Sequence, residues 1–337
     1  MIRTPATGHG RAGCHHGEIL QGVFRTGESQ WAHGLVTLPL HSLGTRARFA
    51  PRPGVPAERI TVEPADRTRA ARAATLAVRA CAPVSGLPPW GGHLTLQSDV
   101  PVGLGMGSST SDVLAAVRAV ADSHGVHLER AEAAGLAVRA ERACDPLMLG
   151  ARPALFAQRK GMVIEEFGSA LPPLAVVGCL TGRGAPVDTL SLPVTDYRDE
   201  DVDAYERLRR MLRTALADTD AALLGRVATE SAQRHQRIHP KAELALLIAI
   251  SESSGALGVQ VAHSGNVAGL LFDPTADDVG RRLRDCLRAL LRGGLPVTRL
   301  FRTDHSSGGE GHGPAHRGGD RTTGPRQRGR WARLPAV

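Results

Sequence analysis

Residues Pro101 to Asp112 read Pro-Val-Gly-Leu-Gly-Met-Gly-Ser-Ser-Thr-Ser-Asp, with glycines alternating at 103, 105 and 107 and a helical apolar pattern starting directly after them. Alternating glycines permit positive φ and let the main chain approach a bulky partner. Ser108 or Ser109 is expected to cap the following helix, in which Val113, Leu114, Val117 and Val120 share one face. Just upstream, His93-Leu-Thr-Leu-Gln-Ser98 alternates like a half-buried strand. The unit is therefore strand, glycine loop, helix. Such a loop offers unpaired N–H groups and the positive end of a helix dipole, an arrangement that suits phosphate.

Residue identity excludes two common phosphate loops. A P-loop needs a lysine after its last glycine, and the chain's only lysines, Lys160 and Lys241, lie elsewhere. A dinucleotide fingerprint needs Gly-x-Gly-x-x-Gly directly after a strand; here the third glycine comes one residue early and Pro101 opens the segment. The segment resembles instead the ATP loop of the GHMP small-molecule kinase superfamily, Pro-x-x-x-Gly-Leu-Gly-Ser-Ser-Ala. Its lead-in Ser98-Asp-Val-Pro-Val-Gly, and Met106 ahead of the Ser-Ser-Thr, are similar to the L-threonine kinases of cobalamin biosynthesis. Gly17-Glu-Ile-Leu-Gln-Gly22 resembles their Cys-Gly-Glu-Leu-Ile-Gln-Gly, and Val187-Asp-Thr189 their Val-Asp-Thr. Gly258-Val-Gln-Val-Ala-His-Ser-Gly-Asn-Val-Ala-Gly-Leu-Leu271 resembles their Ala-His-Ser-Gly-x-Val motif.

The resemblance implies an α+β, two-domain GHMP kinase fold: a ribosomal protein S5 domain 2-like N-terminal domain over 1–170, a ferredoxin-like domain over 171–301, and a disordered basic tail over 302–337. It implies that Pro101, Gly103, Leu104, Gly105, Met106, Gly107, Ser108, Ser109 and Thr110 bind ATP, with Ser109 and Glu141 holding Mg²⁺. Ser109 can cap a helix at the same time. Glu141 sits one residue further from the aspartate than in the family, so a solvated helix carboxylate stays open for it. Asp145, in Ala140-Glu-Arg-Ala-Cys-Asp-Pro-Leu-Met-Leu149, would take the substrate hydroxyl proton or hold that hydroxyl for attack; the alternative is a turn-opening residue before Pro146. Glu18, Gln21, His263, Ser264 and Gly265 would lie by the substrate, His263 having a buried structural role as its rival. The family's cysteine is replaced by His16, preceded by Cys14 and His15. Three adjacent residues cannot easily chelate one ion, so a zinc site is not expected.

The activity expected is transfer of the ATP γ-phosphate to L-threonine or a related small hydroxy compound. The alternatives are an ATP-dependent decarboxylase on the same fold, or a non-catalytic ligand-binding, regulatory protein. The +8 net charge invites a nucleic-acid partner, but from Arg302 onward seven arginines face three acids, so +4 of it belongs to one Gly/Arg/His/Pro-rich stretch. That composition reads as solvated disorder rather than a nucleic-acid arm. The apolar run Leu244–Ile250 is too short to cross a bilayer, no apolar leader opens the chain, and five scattered cysteines read as reduced thiols. A cytoplasmic enzyme is expected, with a homodimer left open. Aromatic residues make up only 3% of the chain, so alanine and aliphatic side chains must fill the core.

Overall fold

The computed structural model describes residues 4–27, 30–150, 152–182 and 197–303. The Val187–Thr189 segment and the basic tail beyond 303 lie outside them. Two long antiparallel strands, β1 (Gly8–Arg25) and β2 (Trp31–Pro56), pair from Gly8 opposite Phe49 to Arg25 opposite Trp31. The sequence suggests separate strands around Val36 and Thr45; they are one strand, because Ser42 to Gly44 stays in the extended chain at a register shift of the β1 pairing. Then follow β3 (Thr61–Glu63), α1 (Thr68–Ser85), β4 (Trp90–Ser98), α2 (Ser108–His124) and α3 (Arg130–Glu141). After a short 3₁₀ turn at Leu147–Leu149 come β5 (Ala154–Ala157), β6 (Met162–Glu166) and β7 (Ala175–Leu180). The remaining elements are α4 (Asp199–Ala217), α5 (Ala221–His235), α6 (Leu244–Ser254), β8 (Gly258–Val261), β9 (Val267–Phe272), α7 (Val279–Arg292) and β10 (Val297–Arg302).

One sheet runs β10–β7–β9–β8–β1–β2–β4–β3, with β5 beside β2 and β6 beside β5. The scarcity of aromatics shows in how the elements touch. A Cβ on Gly8 or Gly10 would lie 2.1 Å from the carbonyl oxygens of Ala119 or Ala115, so β1 meets α2 almost backbone to backbone. Ala70, Ala73, Ala74, Ala77, Val78 and Cys81 form the buried stripe of α1, spaced as a core-facing helix requires. The sequence over Asp66 to Cys81 reads as a surface helix, yet seven of the 18 residues of α1 are buried. Val113, Leu114, Val117 and Val120 of α2 are fully buried, each contributing about 1.5–3 kcal/mol of apolar transfer.

On the other half, Tyr205, Leu208 and Leu212 of α4 pack with Ile19, Leu20, Val23 and Phe24 of β1. Leu247 and Ile250 of α6 and Cys286 and Leu290 of α7 cover Val177, Cys179, Leu270 and Phe272. All five cysteines are buried and unbridged. No helix among the described residues is long and apolar enough to cross a membrane.

Candidate active site

The glycine loop joins β4 to α2 as its pattern suggests, with one difference. The residue capping α2 is Gly107 in the left-handed conformation, not Ser108 or Ser109, and no side chain caps the helix. Left-handed φ at Gly103, Gly105 and Gly107 (78°, 79° and 73°) winds the main chain into the helix, leaving both serine hydroxyls for other partners. Gly105 has no room for a side chain: a Cβ there would lie 2.5 Å from the Gly265 Cα. Leu104 O accepts from the N–H groups of Asn266 (3.0 Å) and Val267 (3.2 Å), and Met106 O accepts from His15 N–H (3.3 Å). Among the described residues, no main-chain N–H from Gly103 to Ser109 donates to a protein acceptor. The carbonyls of Leu104 and Met106 are used and the loop's donors are open. That is a cradle with the polarity an oligophosphate requires.

Glu141 ends α3 facing this helix start. Ser109 donates to its Oε2 (2.6 Å), and Thr110 Oγ1 lies 2.7 Å from its Oε1. The carboxyl is 6% exposed, so it is not a solvated helix acid; burial pushes it up to about 7 against those two hydroxyls. Ser109 and Glu141 together offer adjacent hard oxygen donors beside the phosphate cradle, a set that fits Mg²⁺. Arg69, at the start of α1, reaches Ser109 Oγ at 3.4 Å.

Asp145 follows α3 across a left-handed Arg142. Its N–H donates to Thr110 Oγ1 at 3.3 Å, and its carbonyl accepts from Leu147 N–H. It therefore also opens the turn before Pro146. Its carboxylate lies 3.3 Å from His15 Nε2, while His15 Nδ1 lies 3.5 Å from Glu18 Oε1. Burial works against charging His15, but Asp145 first and then Glu18 overcome it and push the imidazole up to about 9. Burial also raises Asp145, and His15 more than reverses it, holding Asp145 below its ordinary value. Burial pushes Glu18 up to about 7 despite His15. A buried imidazolium thus bridges two carboxylates. These three groups lie close enough to hold a metal ion, but the ion would have to displace the His15 proton.

The Cys14-His-His run falls apart as a unit because β1 alternates. His15 faces the cavity, whereas His16 packs on Phe301 and meets Gln260 across the sheet, and Cys14 reaches Leu40 O. Burial holds His16 down near 3, so it is a neutral core residue. His263 sits between β8 and β9 with its N–H on Glu18, its Nδ1 3.0 Å from Gln21 Oε1 and its Nε2 3.4 Å from Gln158 Nε2. Lys241, buried between α5 and α6, donates to Gly265 O at 2.6 Å.

A cavity of about 280 Å³ brings these groups together, lined among others by His15, Glu18, Gly105, Ser109, Glu141, Asp145, His263 and Ser264. Gln21 reaches it through His263, and Gly265 backs the loop through Gly105. A more open groove of about 560 Å³ between α5 and α6, bordered by Arg226, Gln233, Ile248 and Leu257, holds none of these residues. Chemistry, not size, distinguishes the two. The sequence reading missed His15 as a charge partner, and missed Arg69, Gln158, Arg159 and Lys241. Only Gln158 and Arg159 had a signal, their place in Leu155-Phe-Ala-Gln-Arg159, shortly after Asp145.

The chain carries the GHMP-kinase fold, and its residues 70–149 match the family described as GHMP kinases N terminal domain. It aligns over 88–90% of its length with two solved structures. One is a homoserine kinase from Cytophaga hutchinsonii (TM-score 0.62, 15% identical, 96% of that chain). The other is MDDEF in complex with MVAPP, AMPPCP and magnesium (TM-score 0.55, 14% identical, 99% of that chain). In sequence the chain is similar to an L-threonine kinase from Citrobacter freundii, 30% identical over 199 residues. That match covers 56% of this chain and 64% of the relative, so the chain spans a little under two thirds of that protein.

Proposed function

We propose that this protein is an ATP-dependent small-molecule kinase that transfers the γ-phosphate to the hydroxyl of L-threonine or a related small hydroxy compound. The observation that carries the reading is the unpaired main-chain N–H row from Gly103 to Ser109 opening into the same cavity as Asp145. The L-threonine kinase likeness supports the acceptor. The 1–170 part would supply the phosphate loop and Asp145, and the 171–301 part the His263–Gly265 loop.

Phosphoryl transfer asks mainly for positioning and charge neutralisation. The loop N–H groups hold the phosphates, with Ser109 and Glu141 placed for Mg²⁺, which when bound neutralises charge on the phosphate oxygens. The acceptor hydroxyl oxygen bonds to the γ-phosphorus, the bond to the bridging oxygen breaks, ADP leaves, and the hydroxyl proton passes to Asp145. Paired with a cation, Asp145 is a weak base, so it serves first to orient the hydroxyl. It takes the proton as the new P–O bond acidifies that oxygen.

The test is a ³¹P NMR screen of hydroxyl compounds with ATP and Mg²⁺, using Asp145→Asn as control. Wild type should phosphorylate L-threonine or a close analogue, and the variant should lose about 10²–10⁴-fold in turnover while still binding ATP. Equal turnover by the variant would remove Asp145 from the mechanism. ATP binding without transfer to any compound would favour a ligand-binding role.

A further inference from the structure

The geometry points to Gln158 and Arg159, adjacent in the turn between β5 and β6, as a head-group clamp that receives the ammonium and carboxylate of an α-amino acid acceptor. This deepens the kinase reading and rests on it for the fate of the hydroxyl, but not for binding.

The argument starts with amide and imidazole orientations. Gln21 gives its Nε2 hydrogen to Val261 O (3.2 Å), so its Oε1 faces His263 Nδ1 at 3.0 Å. His263 must then carry its proton on Nδ1, and burial, pushing it down to about 4, keeps it neutral. The unprotonated Nε2 accepts from Gln158 Nε2. Gln158 is thereby locked with its NH₂ used and its Oε1 turned elsewhere. That oxygen is buried and has no hydrogen-bond partner, in a residue only 7% exposed that lines the cavity. A buried carbonyl without a donor is costly. An ammonium group is the donor that satisfies it best.

The charges around the cavity single out the second half of the clamp. His15 is committed between Asp145 and Glu18, and Arg69 lies at the phosphate end on Ser109. His33 and His263 are held low by burial and, more weakly, by Arg159. Of the two arginines lining the cavity, Arg69 is engaged with the Ser109 hydroxyl at the phosphate end, whereas the guanidinium of Arg159 has no hydrogen-bond or ion-pair partner among the described residues. Its planar fork matches a carboxylate.

The scale fits a small acceptor. Cys144 N–H donates to Gln158 O at 3.0 Å, which sets Asp145 beside the clamp. An amino acid gripped by its head would hold its side-chain hydroxyl only a few bonds from Asp145. A long acceptor would overshoot it.

The experiment is calorimetric binding of L-threonine, L-threoninamide and N-acetyl-L-threonine to wild type and Arg159→Gln, with a non-hydrolysable ATP analogue present. Wild type should bind L-threonine about 10- to 100-fold more tightly than either analogue. Arg159→Gln should bind L-threonine and its amide alike, at the weaker level. The comparison of ligands on wild type stands even if the variant folds poorly. Equal binding of L-threonine and its amide by wild type, a preference retained in Arg159→Gln, or no binding of L-threonine, L-serine or L-homoserine would overturn the clamp. Turnover, assayed separately, tells the two readings apart. Arg159-dependent binding without phosphoryl transfer would sink the kinase and leave the clamp. Phosphorylation of an alcohol lacking a carboxylate, indifferent to Arg159→Gln, would do the reverse.

Discussion

The buried His15 should show as a stability loss in alkaline solution. Its pKa is raised from 6.5 to about 9, so its contribution is full below 6.5 and disappears as pH rises through 9. A shift of that size corresponds to roughly 3 kcal/mol. Glu18 and Glu141, both pushed up to about 7, act with the same sign but at lower pH, between their unfolded values and 7. Asp145 is depressed, so its share is lost only in acid. Across pH 7.5 to 9.5 the His15 share alone falls by about 2 kcal/mol. The buried Lys241, pushed down to about 8, gains stability there and the buried cysteines, pushed up, lose it. Only the difference from a variant without His15 therefore isolates the effect. The described residues end at Thr303. A chain of about 300 residues unfolds with an entropy near 0.6 kcal/mol/K, so the His15 share should appear as a fall in melting temperature of about 3 °C relative to that variant. A His15→Gln/Glu18→Gln double variant, lacking both titrating groups, supplies the baseline, and wild type should lose that margin relative to it. In parallel, the imidazole NMR signals of His15 should titrate near 9. A midpoint at or below 6.5 would refute the bridged-imidazolium argument, whatever the melting curves show.

Two further outcomes probe the phosphate end. Gly105→Ala forces a left-handed alanine, at about 1–2 kcal/mol, and a Cβ 2.5 Å from Gly265; the KM for ATP should rise at least about tenfold with the circular dichroism spectrum unchanged. An unaltered KM would mean the loop does not hold nucleotide. Glu141→Gln preserves shape but removes charge, so half-saturation by Mg²⁺ in the kinase assay should move up by about 10–100-fold. No shift would take Glu141 out of the metal site.

The loop, its strand and its helix were legible because each has a local cause: alternation, left-handed glycines, and a 3.6-residue apolar stripe. The helical patterns over Val202–Leu216, Ala221–Gln236, Ala242–Glu252 and Asp277–Leu291 were readable for the same reason, and α4 to α7 fall within a few residues of them. β1 was not, because Cys14-His-His-Gly-Glu has no simple alternation; Gly17 at φ 69° and the register shifts around it break the pattern. β10 escaped notice because only Phe301 of its six residues is buried. In the site, Asp145 and Glu141 could be placed by motif. The charge state of His15, the orphaned oxygen of Gln158 and the lysine behind Gly265 depend on contacts between residues over 80 positions apart, or on the β8–β9 connection. No spacing rule reports those.

The carbonyls of Leu104 and Met106 are both tied to neighbouring strands. A trans peptide is planar, with its C=O and N–H antiparallel. Anchoring those two oxygens therefore turns the hydrogens of Gly105 and Gly107 the opposite way, without the help of any side chain. A seat for an anion built this way would consist of parts that substitution cannot delete. The side chains of Leu104 and Met106 can drift as long as they pack, and damage has to arrive through the glycines or through the strands that hold the oxygens.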